Sequence, residues 1–243
     1  MMEPEPHRQS YFKESRSLLY SYLICLPLFL LYELLVYISQ PDAEQIVRIS
    51  VDAWFKGIFT TFGLNALSIT FFIACLAGIW ILIRDRGRLK HLRTSWFLFM
   101  LLEALMYAIL LTLLITSFLE YLMMIDQGSP LEDLSKLQMA ALSLGAGLYE
   151  ELFFRVILVS LLLWICNRFI ETKWISYTIA ALLAALIFSG VHYTGTYGDT
   201  FTLGSFLFRF LFGLALNVIY VLRGFGMAAW THALYDLLII TIR

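Results

Sequence analysis

Three short clusters of ionisable residues stand inside stretches that are otherwise apolar. They are Glu150-Glu151 followed by Arg155, Phe188 followed by His192, and His232 followed by Asp236. Insertion scales put a charge at mid-membrane at roughly 2.5–3.5 kcal/mol, so an ionisable residue inside a span calls for a partner or a function. On a helix, Glu151 and Arg155 at i and i+4 share a face and form an ion pair. Glu150 stands about 100° around the helix and has no such neighbour. One carboxylate therefore reads as structural and the other as available. His232 and Asp236 have the same spacing, which stacks the carboxylate against the imidazole and can fix its tautomer. Phe188 and His192 share a third face, with Gly190 expected to let a neighbouring helix approach closely. A carboxylate and two histidines on three helices supply what water activation needs. Glu150 or His192 is the general base, and His232 with Asp236 donates hydrogen bonds to a developing oxyanion. Amide hydrolysis fits these parts.

The elements that position these groups follow from composition. Sixty per cent of the 243 residues are hydrophobic and 14% are charged, with a mean hydropathy of +0.80. One soluble core of this size cannot hide that much apolar surface, so the bilayer is the solvent. Seven apolar stretches approach the ~20 residues a helix needs to cross hydrocarbon: 17–38, 64–83, 95–125, 137–165, 174–191, 204–222 and 227–242. Their length and their lack of alternation argue against a barrel. The expected fold is all-α, a polytopic transmembrane helix bundle of seven or eight spans with a polar cavity in its C-terminal four-helix core. Residues 1–136 would form N-terminal transmembrane helices with an interfacial helix near 45–62, where charges alternate with apolar residues at helical spacing. Residues 137–243 would form the core that carries the clusters, its first helix tilting or breaking near Gly145 and Gly147.

Lysines and arginines gather in alternate loops. Arg8, Lys13, Arg16, Arg84, Arg86, Arg88, Lys90, Arg93, Arg168, Lys173 and Arg223 fall in one set, and only Arg48, Lys56, Lys136 and Arg243 in the other. The positive-inside rule then puts the N-terminus in the cytoplasm and, with seven spans, the C-terminus outside; an eighth span would reverse every span after it. The near balance of 17 basic and 18 acidic residues gives no field that recruits nucleic acid. The expected partners are the bilayer and a membrane-anchored protein or peptide. Cys25, Cys75 and Cys166 lie in apolar runs and read as small hydrophobes. Glu33, Glu103 and Glu120 show no recognisable partner and read as packing or interfacial residues.

At the three clusters the chain resembles the CAAX-protease and bacteriocin-processing family of intramembrane proteins (CPBP, also called Abi), which includes prenyl endopeptidases of the Ras-converting type. Its Glu-Glu-x-x-x-Arg pattern matches Glu150, Glu151 and Arg155; Phe-x-x-x-His matches Phe188 and His192; and His-x-x-x-Asn/Asp matches His232 and Asp236. The resemblance implies a glutamate-dependent protease in which Glu150 and His192 activate water, while His232 and Asp236 form the oxyanion site. Glu151, Arg155 and Phe188 support them, and no cofactor is required. Asp236 stands where prenyl-processing members have Asn. An ionised Asp cannot donate to an oxyanion, so it orients His232 or carries a proton. A prokaryotic cell membrane is the expected location.

Three other readings remain open on the sequence alone. Glu150, His192 and His232 are also the ligand types of a zinc protease with one open position, although no His-Glu-x-x-His helix presets two of them. Intramembrane acids and histidines also line transporter and proton-relay pathways, yet inverted repeats are missing. A silent immunity or peptide-binding protein could keep the same scaffold. One geometric difficulty stands: span boundaries place His192 and His232 at depths differing by roughly 15–20 Å.

Overall fold

The computed structural model describes residues 10–40, 46–123, 134–194 and 198–242. All regular structure among them is helical. The short helix α1 (Tyr11–Ser15) leads into α2 (Leu18–Ser39), followed by α3 (Ser50–Thr61), α4 (Ala66–Arg84), α5 (Arg86–Leu89) and α6 (Thr94–Met123). A long helical run then begins with α7 (Lys136–Gly145), passes through π-helical segments at Ala146–Glu150 and Leu152–Leu158, and ends as α8 (Val159–Cys166). Helices α9 (Lys173–Val191), α10 (Leu203–Arg223) and α11 (Phe225–Ile242) complete the bundle.

Among the described residues, each apolar stretch in the sequence is thus essentially helical. Five are long and apolar enough to cross a bilayer: Leu18–Ser39, Ala66–Arg84, Thr94–Ile115, Lys173–Val191 and Leu203–Arg223. The chain is an all-α integral membrane protein. Large apolar side chains such as Phe72, Leu76, Ile83, Leu113 and Leu222 stay exposed on these helices, as expected where lipid rather than water is the solvent. The remaining two stretches, 136–166 and α11, carry two of the three polar clusters, and the third, Phe188 with His192, lies at the end of α9.

Helix α11 lies at the centre, packed against α2, α6, α7, the first π segment and α10. Its crossing with the start of the π run is very tight. A Cβ on Gly147 would stand 2.4 Å from the carbonyl oxygen of Ala229 and 2.7 Å from the backbone nitrogen of Ala233, so only glycine permits this approach. Of the alternatives the sequence left open, a break at Gly145 or Gly147 does not occur; the helix continues and widens into the π turn. Nor is Gly190 a close-approach site, since a Cβ there would meet nothing within 4 Å. We expect Gly147→Val to lower stability by about 1–3 kcal/mol through forced separation of the helices. Gly190→Ala should be neutral or stabilising by up to ~1 kcal/mol, because alanine costs less entropy in a helix. Thermal melts in one detergent check both.

The α10–α11 junction is packed against the N-terminal segment and α6. Arg223 is buried and bonds Glu103 on α6 at 2.6 and 2.7 Å and Ser15 Oγ at 3.0 Å. Gly224 adopts φ +88°, and a Cβ there would stand 3.1 Å from the Arg16 carbonyl oxygen. Trp230 donates its indole N–H to the Ile24 carbonyl at 2.7 Å. The rings of His192 and His232 nonetheless both lie beside Phe188, with centroids 4.9 and 6.2 Å from its own, so the expected offset between them is absent.

The charges on α3 also turn inward. Lys56 Nζ lies 2.5 Å from Glu33 and 2.9 Å from Asp52, and Arg48 reaches the same two acids at 3.1 and 3.0 Å. Asp52 and Lys56 are buried while Trp54 and Ile58 are exposed. The amphipathic pattern is real, but its polar face meets Glu33 on α2 rather than water. Glu33 and Glu103, without partners in the sequence, are thus both paired; the side chain of Glu120 lies outside the described residues.

Candidate active site

Glu150 closes the first π segment and Glu151 joins it to the second. An i→i+5 turn takes in one residue more than an α turn, which rotates the rest of the helix by about 100° and lets adjacent residues serve different neighbours. Glu151 turns towards α11 and its own helix. Its Oε1 lies 2.8 Å from Arg155 Nη1 and 2.7 Å from His232 Nδ1. Glu150 turns towards α9, with Oε2 3.9 Å from His192 Nε2. Both glutamates are buried.

The tautomer of His192 follows from its other nitrogen. Nδ1 lies 2.7 Å from the Phe188 carbonyl oxygen, which can only accept, so Nδ1 carries the hydrogen. In the neutral ring Nε2 therefore presents a lone pair on the side facing Glu150. His232 is held differently from the expectation. Its Nε2 stands 3.6 Å from Asp236 Oδ2, too far for a hydrogen bond, whereas Nδ1 bonds Glu151. The glutamate on the neighbouring helix orients this ring, because the Gly147 crossing brings the two backbones together. Asp236 stands alongside the nitrogen that remains.

Phe188 ties the cluster together. Its ring centroid is 4.9 Å from that of His192 and 6.2 Å from that of His232, and the Arg155 guanidinium carbon lies 4.7 Å above it. Arg155 Nη2 also donates to the Gly213 carbonyl at 3.3 Å. The structure therefore brings Glu150, Glu151, Arg155, Phe188, His192, His232 and Asp236 into one cluster drawn from the π run, α9 and α11.

Other members have no motif to announce them. Phe212 on α10 sets its ring edge-on to His232 with centroids 5.1 Å apart. Tyr149, next to Glu150, points its hydroxyl at Glu33, 3.4 Å away. Arg209 pairs with Asp199 and donates to the Tyr193 hydroxyl at 2.8 Å, while the Asp199 N–H donates to the His192 carbonyl at 2.9 Å. Arg209 did carry a signal, a charge inside an apolar stretch, which is the rule that finds the three clusters. Among the described residues no three His, Cys, Asp or Glu side chains are arranged to hold a metal ion.

Comparison with known proteins bears on this geometry. Residues 133–238 match the family model described as type II CAAX prenyl endopeptidase Rce1-like. This C-terminal segment is similar to that family. The match spans every residue of the cluster and agrees with the resemblance carried by the three motifs. No curated protein and no solved structure matches the chain. The family matched is one of CAAX-type proteases, which are hydrolases, and the matched residues make up less than half of the chain. The N-terminal helices lie outside the matched segment, yet α2 packs on α7 and α11 and contributes Glu33 beside Tyr149.

Proposed function

We propose that this protein is an intramembrane endopeptidase that hydrolyses a peptide bond near the membrane-anchored end of a protein or peptide. Glu150 and His192 hold and deprotonate water, and His232 with Asp236 stabilises the tetrahedral intermediate. The observation that carries the reading is the facing pair of Glu150 Oε2 and His192 Nε2. At 3.9 Å the two acceptors are too far apart to bond each other directly and close enough for one water to bridge them. Glu150 takes the proton, the water oxygen attacks the carbonyl carbon, and the proton passes to the leaving nitrogen as the C–N bond breaks. In its charged form His232 donates from Nδ1 to Glu151 and from Nε2 to the oxyanion, with Asp236 alongside to offset the charge. Arg155 and Glu151 hold that ring in place.

The same reading takes seven or eight spans across the membrane, with the four C-terminal helical runs, 136–166, α9, α10 and α11, enclosing a polar cavity. It sets the protein in a prokaryotic cell membrane with its N-terminal segment cytoplasmic, and it requires no metal. The test is cleavage of membrane-anchored peptides by purified, tag-free protein with and without a chelator. Activity that survives chelation while His192→Ala loses about 100-fold or more in kcat supports acid–base catalysis by side chains. Activity that chelation abolishes and zinc restores would replace it with a metal mechanism.

A further inference from the structure

The two ends of the bundle differ in charge. At one end stand Lys13 and Arg16 before α2, the run from Arg84 to Arg93 between α4 and α6, and Arg168 with Lys173 between α8 and α9. The first two of these segments lie together. Arg88 bonds Glu14 at 2.7 Å, and the Arg93 N–H donates to the Tyr20 hydroxyl at 2.9 Å. Three arginines of this end, Arg84, Arg93 and Arg168, sit over Trp80, Trp96 and Trp164 at 5.1, 5.1 and 4.9 Å, the pairing expected where an aromatic belt meets headgroups. At the other end Arg48, Lys56 and Arg209 are paired, whereas Lys136 stands exposed at the start of α7. Arg48 and Lys56 pair with Glu33 and Asp52, and Arg209 pairs with Asp199. Most of the described lysines and arginines outside the helix interiors thus stand on one face, which the positive-inside rule makes cytoplasmic.

The catalytic cluster grows more exposed in the opposite direction. Side-chain exposure is 0% at Glu151 and 5% at His232, and rises to 26% at His192 and 30% at Asp236. His192 caps the end of α9 that lies away from Lys173. Asp236 lies one turn beyond His232 in the direction leading away from the Arg223 junction. Arg209 and Asp199, 20% and 26% exposed, continue the same polar opening and are tied to His192 through the Asp199 N–H.

We infer that the site is fed from the face opposite the basic loops, so that its substrates are membrane-anchored proteins or peptides whose cleavable segment stands on the extracytoplasmic side. This rests on the hydrolase reading for the cleavage and on charge and exposure for the side. Water for hydrolysis enters from the same face, and a tail confined to the cytoplasmic surface is not a substrate. The arrangement suits the processing of exported, still anchored chains.

Labelling separates the side from the chemistry. In a background with Cys25, Cys75 and Cys166 replaced by alanine, Asp236→Cys and Lys90→Cys are exposed in turn to a small membrane-impermeant thiol reagent on intact bacterial cells. The expected result is labelling of Asp236→Cys from outside, and of Lys90→Cys only after permeabilisation. Labelling of Asp236→Cys only after permeabilisation, or of Lys90→Cys in intact cells, overturns the inference. Neither arm needs turnover. A second arm supplies single-span reporters with the tail on either side: cleavage of the outside tail alone, lost in Glu150→Gln, is expected, and cleavage of the inside tail overturns the side. If neither reporter nor detergent-solubilised peptide is cut while labelling is as expected, the hydrolase reading fails and the orientation stands.

Discussion

Glu150→Gln lowers kcat on a membrane-anchored peptide by about 10³-fold, within the range general-base catalysis contributes, and leaves peptide affinity within about two-fold. The substitution keeps the volume and one acceptor oxygen and removes the group that takes the proton. An interaction used only in the transition state shows in kcat rather than KM. Stability moves the other way. Glu150 is buried and no hydrogen-bond or ion-pair contact shorter than the 3.9 Å to His192 is seen for it among the described residues, so exchanging a carboxylate for a neutral amide removes a desolvation cost. The melting temperature should hold or rise. His192→Ala behaves similarly in kcat, and the double variant is no worse than the poorer single one, because the two groups act on one water. Single-turnover cleavage together with peptide binding measures both parts. A Glu150→Gln enzyme with wild-type kcat removes Glu150 from the mechanism.

That Glu150 and not Glu151 is the free carboxylate was legible from spacing. Arg155 at i+4 identifies the paired residue, and the 2.8 Å contact agrees. The helices were legible for the same reason that membrane proteins in general are: backbone groups in hydrocarbon leave few alternatives to a helix. What the sequence hid is whatever depends on partners from distant segments. Glu33 meets Lys56 from a different helix, and Glu103 meets Arg223 across 120 residues of chain, so no local pattern reveals either pair. The π turns were equally hidden. Gly145 and Gly147 signalled something irregular, but glycine marks a break, a bend and a close crossing alike. Only the Ala229 and Ala233 backbone against Gly147 tells which it is.

The same hidden contacts decide the role of Asp236. From one helix alone, i and i+4 make it the natural partner of His232. The fold supplies a better one, Glu151 at 2.7 Å, so Asp236 is left facing the nitrogen that substrate would meet. An Asp at that place differs chemically from an Asn, since an ionised carboxylate accepts hydrogen bonds and does not donate them. In the proposed mechanism this turns its contribution from a direct hydrogen bond into charge balance for His232.

Arg155→Leu destabilises the protein by about 3–5 kcal/mol, the range for removing one partner of a buried ion pair and leaving the other charge uncompensated. Arg155 is 1% exposed and Glu151 0%, so water cannot take the lost partner's place. The double variant Glu151→Leu with Arg155→Leu should recover most of that loss, since replacing a whole buried pair by packed apolar groups is often neutral or better. Activity should not recover with it. Glu151 also accepts the His232 Nδ1–H, and without it the ring loses both its orientation and the acceptor that favours a hydrogen on Nδ1, leaving only Asp236 at 3.6 Å. Stability and kcat therefore separate across one double-mutant cycle. Glu151→Gln sharpens the distinction, because its amide oxygen can still accept from Nδ1 while Arg155 goes unpaired. That variant should be unstable yet retain more activity per folded molecule than the stable double variant. If instead the double variant regains activity together with stability, the Glu151–Arg155 pair serves the fold alone and His232 needs no second carboxylate to hold it.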